Sequence, residues 1–255
     1  MANWTANDGT LINFETYGNG PGRETVVLLP GLLGSIAQQW RNFIKPLSTE
    51  FCVVLVDLRG HGRSENKAPN LTPERMVEDV FGLLDFLQFE RAHVTGYDFG
   101  GYLALLMALS QPRRISTVMM HGTKFYWTQE SAAKMREQLD PDHMAKNVPA
   151  YADQLVQDHG GRRWRELVRQ SADLVGYLSQ KGITENMAAQ AQCPVLVSTG
   201  DRDELVPLAE AQRLSRIFPK GALFVQPGVR HPFHSLRPVP MLPMMQYFYK
   251  TAHRR

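Results

Sequence analysis

The chain has 255 residues, 43% of them hydrophobic and 21% charged, a composition that supports a globular core and excludes disorder as its main state. Its 28 basic and 25 acidic side chains leave a formal charge of +3, too slight for a nucleic-acid footprint. No secretory leader and no bilayer-length apolar run stands out, so the expectation is a cytoplasmic protein with neither a membrane nor a nucleic-acid partner.

Taken in chain order, an Asp8-Gly9 turn precedes an edge strand over Thr10–Tyr17. Nearly continuous apolar runs then predict strands at Thr25–Leu29, Phe51–Val56, Ala92–Gly96, Ile115–Met120, Pro194–Thr199 and Ala222–Gln226, as expected of strands covered on both faces. Between them, amphipathic stretches predict helices over Pro73–Leu87, with Thr72 as N-cap, and over Gly100–Ser110, Leu208–Ile217 and Pro240–Ala252. This alternation is that of a largely parallel sheet flanked by helices. Residues 123–189 break it: Met135, Leu139, Met144, Leu155, Leu167, Val168 and Leu174 recur among charges without a strand, which predicts a helical insertion. Cys52 and Cys193 lie far apart inside apolar runs, so neither a disulfide nor a zinc framework is expected.

The strand ending at Gly96 runs through Gly96-Tyr97-Asp98-Phe99-Gly100-Gly101 into a helix. Small residues around one polar residue at a strand-to-helix turn let that side chain project from a sharp bend. A capping aspartate explains the residue type but not the paired glycines. Downstream, Gly200-Asp201-Arg202-Asp203-Glu204 follows a strand; Asp203 is the carboxylate expected to turn back to the sheet edge, with Asp201 holding the turn and Glu204 solvated. After the last strand, Gly228-Val229-Arg230-His231-Pro232-Phe233-His234 offers His231 as base and His234 in reserve. The order nucleophile, acid, histidine is then Asp98, Asp203, His231. Pro30-Gly31-Leu32-Leu33-Gly34-Ser35 presents the Leu32 N–H toward the bend, where the Phe99 N–H completes an oxyanion hole. The glycines of Asp57-Leu58-Arg59-Gly60-His61-Gly62-Arg63-Ser64 do not follow the dinucleotide pattern, so that loop is a structural turn.

On these five segments, which span nearly the whole chain outside the insertion, the sequence resembles the α/β-hydrolase superfamily. The resemblance implies a core of residues 1–122 and 190–255, a helical cap or lid over 123–189, no cofactor and no metal. Most members carry serine at the bend. Aspartate there resembles epoxide hydrolases and haloalkane dehalogenases, in which a carboxylate attacks saturated carbon and histidine-activated water hydrolyses the alkyl-enzyme ester. Phe99 cannot hold a halide as the dehalogenases' tryptophan does. Epoxide hydrolases use lid tyrosines, for which the insertion offers Tyr126, Tyr151 and Tyr177; Lys124, Tyr126 and Trp127 are the candidate substrate contacts, and Lys124 is either a surface lysine or a partner of Asp98 that lowers its pKa. The Pro-Gly-Leu-Leu-Gly-Ser loop instead resembles small esterases and C–C hydrolases. The expectation is an epoxide hydrolase-like enzyme acting on a small or medium apolar molecule. The alternatives are a dehalogenase, an esterase, C–C hydrolase or lyase with Asp98 non-covalent, and an inactive ligand-binding protein.

Overall fold

The computed structural model describes residues 2–251. Strands β1 (Ala2–Thr5), β2 (Leu11–Tyr17) and β3 (Thr25–Leu29) are followed by helix α1 (Arg41–Ser48), β4 (Cys52–Val56), α2 (Pro73–Phe86), β5 (Ala92–Tyr97), α3 (Phe99–Ser110) and β6 (Ile115–His121). Five helices follow without a strand among the described residues: α4 (Gln129–Gln138), α5 (Pro141–Asn147), α6 (Pro149–His159), α7 (Trp164–Lys181) and α8 (Glu185–Ala188). The chain closes with β7 (Val195–Gly200), α9 (Leu208–Ile217), β8 (Gly221–Gln226) and α10 (Pro238–Thr251).

The strands form one sheet in the order β1-β2-β4-β3-β5-β6-β7-β8. The first two pairings are antiparallel and all the others parallel. Central strands alternate between two buried layers, as a period of two requires. Val27, Leu29, Val54 and Val94 face α2 and α3, whereas Val26, Leu28, Val53 and Leu55 face Phe43 of α1 and Met245 of α10. Leu155, Leu167, Val168 and Leu174 of the insertion belong to the same apolar cluster as α3, so the inserted helices share the sheet's core.

Two elements escape the sequence pattern. β1 is four residues, mostly exposed, held by pairing with β2 and by Trp4, whose ring lies where a side chain at Gly82 would stand. α1 begins after Trp40, a non-glycine residue at φ 67°, and contains Pro46, so its start and middle both carry helix-breaking signals. The last helix starts two residues earlier than expected, with a kink at Val239, and Ala252 lies outside the described residues. No helix among the described residues is long and apolar enough to cross a membrane.

Candidate active site

β5 delivers Asp98 at the C-terminal edge of the parallel sheet, where open α/β sheets place ligands. Its backbone is at φ 50°, ψ −119°, a conformation that costs a non-glycine residue on the order of 1–3 kcal/mol and persists only where the surroundings enforce it. Close approach enforces it here. A Cβ on Gly96 would collide with the backbone of Gly100, and one on Gly100 with the carbonyl oxygens of Leu29 and Pro30. Asp98 makes no capping bond to α3; its carboxylate faces a cavity of about 660 Å³.

The Leu32 N–H donates to Oδ2 of Asp98 at 3.1 Å, and the Phe99 N–H lies near enough to the carboxylate to lower its pKa. The loop carrying Leu32 is shaped by Gln39, whose Oε1 accepts the Gly31 N–H at 2.9 Å, and by a turn from Gly31 to Gly34 through Leu33 at φ 60°. On the other side His231 Nε2 stands 4.0 Å from Asp98 Oδ1. Its Nδ1 lies 3.1 Å from both Asp203 oxygens, which fixes the imidazole with Nδ1 protonated and Nε2 toward Asp98. Asp203 is itself anchored, its Oδ1 accepting the N–H groups of Leu205 and Val206 at 2.9 and 2.8 Å.

Charges follow from these contacts. Burial raises the Asp98 pKa, against the opposing pull of His231 and of the Phe99 and Leu32 N–H groups. Burial works against a cation at His231, but the Asp203 hydrogen bond and the charges of Asp98 and Asp203 outweigh it and raise its pKa. Burial likewise opposes charge on Asp203, yet His231 and the two N–H groups hold its pKa down. Such a trio, with one carboxylate pushed up and its neighbour pulled down around an imidazole, is the electrostatic pattern of acid–base sites.

The structure brings Asp98, Asp203, His231, Leu32 and Phe99 together. Lys124 and Trp127 line the cavity; of the two alternatives for Lys124, the Asp98 pair does not form, because Glu210 on α9 takes the ammonium at 2.8 and 3.1 Å. Tyr126 is not on the cavity wall: its hydroxyl donates to Glu185 at 2.6 Å and Arg213 covers its ring. Tyr177 likewise turns away, to Glu74 at 2.9 Å. Tyr151 alone of the three tyrosines lines the cavity. It straddles the mouth, 45% exposed, while desolvation and the charges of Asp98 and Asp158 push its phenol up to about 12. Asp201 holds the turn as expected, accepting the Gly228 N–H, but Glu204 is more than solvated: it accepts the His231 N–H at 3.3 Å and pairs with Arg230. The Asp57–Ser64 loop is structural, Asp57 accepting the N–H of Ile36 and Arg63, and Arg59 joining Asp8 and Asp79.

Two contributors carried no signal in the sequence. Tyr97 donates to the His231 carbonyl at 2.7 Å and lays its ring 5.5 Å from the imidazole, bracing the loop from the residue beside the elbow. His121, at the end of β6, is buried and bonded to Ser198, and burial drives its pKa down to about 4. No group of three His, Cys, Asp or Glu side chains among the described residues is gathered in a way that would hold a metal.

A family model for the alpha/beta hydrolase fold matches residues 24–163. The chain belongs to this family. Within it, a serine hydrolase of Homo sapiens, BPHL, is 28% identical, covering 89% of this chain and 79% of that protein. A 2-hydroxy-6-oxononadienedioate/2-hydroxy-6-oxononatrienedioate hydrolase of Paraburkholderia phymatum is 27% identical, covering 81% and 80%. Among solved structures, a thermophilic esterase from Thermogutta terrifontis superposes with a TM-score of 0.80 at 21% identity, covering 98% of this chain and 97% of that one. The α/β-hydrolase architecture is thus shared over the whole described chain, while the elbow holds a carboxylate.

Proposed function

We propose that this α/β-hydrolase opens epoxides through a covalent Asp98 ester, acting on a small molecule with an apolar body. The observation that carries the reading is the orientation of the Asp98 carboxylate: Oδ2 is held by the Leu32 N–H while Oδ1 faces His231 and the cavity. A carboxylate attacking an ester would form an anhydride, whereas on saturated carbon it forms a stable ester. In the first step Asp98 Oδ1 attacks an epoxide carbon, the C–O bond breaks, and the oxygen takes a proton from Tyr151. A phenol near 12 is neutral at physiological pH and acidic enough to protonate an alkoxide. In the second step His231 Nε2 takes a proton from water as it adds to Asp98 Cγ. The resulting oxyanion sits on the Leu32 and Phe99 N–H groups, each worth roughly 10²–10³ in rate. Collapse releases the diol, protonated by His231, and leaves Asp98 as the acid, whose proton passes by way of solvent to the Tyr151 phenolate and so restores both the carboxylate and the phenol. Helices α4–α8 serve as the lid, contributing Tyr151 and the apolar wall of Met135, Leu139, Met144 and Leu155.

A second reading retains the nucleophile and replaces the epoxide by a haloalkane. It is favoured by Trp127, whose Nε1 is buried without a partner on a residue lining the cavity, a donor suited to a departing halide. The two part on Tyr151, which halide loss does not need.

A single turnover in heavy-oxygen water tests the shared step. Water attacks the enzyme-side carbonyl, so the label is expected in Asp98 and not in the product. His231→Gln is expected to accumulate the alkyl-enzyme, seen as added mass. Label entering the product directly, with Asp98 unlabelled, overturns the covalent mechanism.

A further inference from the structure

The cavity has a second carboxylate. Asp158, near the end of α6, lines it and is half-buried. Gln38, from the loop after β3, donates Nε2 to Oδ1 at 3.2 Å, and Gln154, one turn earlier on α6, donates Nε2 to Oδ2 at 3.2 Å. These two amides, one from the loop after β3 and one from α6 itself, fix the carboxylate without adding charge; no Lys, Arg or His among the described residues forms an ion pair with it. The cavity's lysine is already paired with Glu210 and its His231 stands beside Asp98, which leaves Asp158 as the lining carboxylate without an ion pair among the described residues; Tyr151 feels the charge of both carboxylates. The same cavity carries apolar side chains, among them Leu139, Met144 and Leu155.

We propose that Asp158 is a specificity-determining residue, selecting substrates whose apolar body ends in an ammonium group and rejecting those that end in a carboxylate. The inference deepens the epoxide reading, with the reactive carbon at Asp98 and the cationic end at Asp158. A partly buried carboxylate held by neutral donors gains most from a cation and penalises an anion, so charge complementarity decides which molecule enters. The Paraburkholderia phymatum relative is by its name a dioate hydrolase, a contrast in substrate charge.

The test uses 1-phenyl-1,2-ethanediols bearing para-aminomethyl, para-methyl or para-carboxylate groups, bound by calorimetry to the intact protein, and the matching styrene oxides as substrates. The wild type is expected to bind the aminomethyl diol tightest and the carboxylate weakest, with the aminomethyl affinity falling as salt is raised. Asp158→Asn, which retains an oxygen for one glutamine, is expected to weaken aminomethyl binding about tenfold and leave methyl binding within twofold. Equal wild-type affinities overturn the proposal, as does a cation preference that survives Asp158→Asn and vanishes in Asp98→Asn. Diol selectivity without turnover of any epoxide upholds Asp158 and removes the epoxide reading; turnover without selectivity does the reverse.

Discussion

His231 Nε2 stands 4.0 Å from Asp98 Oδ1, beyond hydrogen-bond reach yet close enough for the carboxylate to help raise the imidazole's pKa. Esterification of Asp98 removes that charge. The imidazole is then easier to deprotonate at the step in which it must accept a proton, while Asp203 continues to orient it. Only neutral His231 can take the water proton, so ester hydrolysis rises with pH through the His231 pKa of the intermediate, which lies below that of the free enzyme. Asp98→Asn mimics the uncharged ester. Its His231 pKa, followed by imidazole proton NMR, is expected to fall below the wild-type value, and an unchanged or higher value would show that Asp98 does not control the base.

Tyr151 is the tyrosine whose loss is expected to slow epoxide opening. Tyr151→Phe should lower kcat about 100-fold or more, with KM little changed, because a positioned acid contributes on the order of 10²–10⁴. The melting temperature should hold, since the residue is 45% exposed. Tyr126→Phe and Tyr177→Phe, whose hydroxyls are bound to Glu185 and Glu74 outside the cavity, should leave kcat within about twofold. Comparable losses in all three would mean that the effect is structural. Full activity of Tyr151→Phe on a haloalkane would favour halide loss.

The parallel strands and the elbow were legible because their constraints are local. A fully buried strand must be apolar along its length, and Gly96 and Gly100 are demanded by backbones that approach within collision distance of any side chain. Asp98, Asp203 and His231 were legible as a candidate trio because each follows the end of a strand, a signal that is again local. What failed was pairing between side chains distant in sequence. Lys124 is positioned to reach the pocket, but Glu210, 86 residues later, claims it, and Tyr126 is claimed by Glu185, 59 residues later. β1 and α1 were hidden differently, one by shortness and exposure, the other by Pro46 inside a helix whose stability comes from Phe43, Ile44 and Leu47 packing under the sheet.

The N–H groups that hold Asp98 would be free to hold a substrate oxyanion if the carboxylate were shortened. Asp98→Ser places a hydroxyl at the elbow beside His231, with the Leu32 and Phe99 donors already aimed there. Weak hydrolysis of p-nitrophenyl acetate is expected to appear, together with an initial burst of nitrophenol and loss of any epoxide turnover. Hydrolysis without a burst, or equal in Asp98→Ala, would show that the hole is not oriented for acyl chemistry.

Acid should weaken the fold through histidines that are buried neutral. His159 on α6 accepts the Gly62 N–H at Nδ1, 2.7 Å, and sits 3.0 Å from the Leu33 carbonyl at Nε2, so it is the Nε2–H tautomer and ties the insertion to the loop beside Leu32. Burial is the leading cause lowering its pKa, and burial drives His61 and His121 down to about 3 and about 4. Unfolded histidine titrates near 6.5, so the unfolded chain takes up protons first as pH falls below that value. Stability present above about pH 6.5 is therefore lost progressively down to each folded pKa, at up to about 1.4 kcal/mol per pH unit for each proton that only the unfolded state binds. His231, with its raised pKa, acts in the opposite sense, but its gain is complete by about pH 6.5 and adds no slope below that value. The urea-unfolding free energy is expected to fall between pH 7 and pH 5. His159→Gln, which can still accept from Gly62 and donate to Leu33, should make that slope shallower by as much as one proton. An unchanged slope would mean that His159 takes up its proton within the native fold.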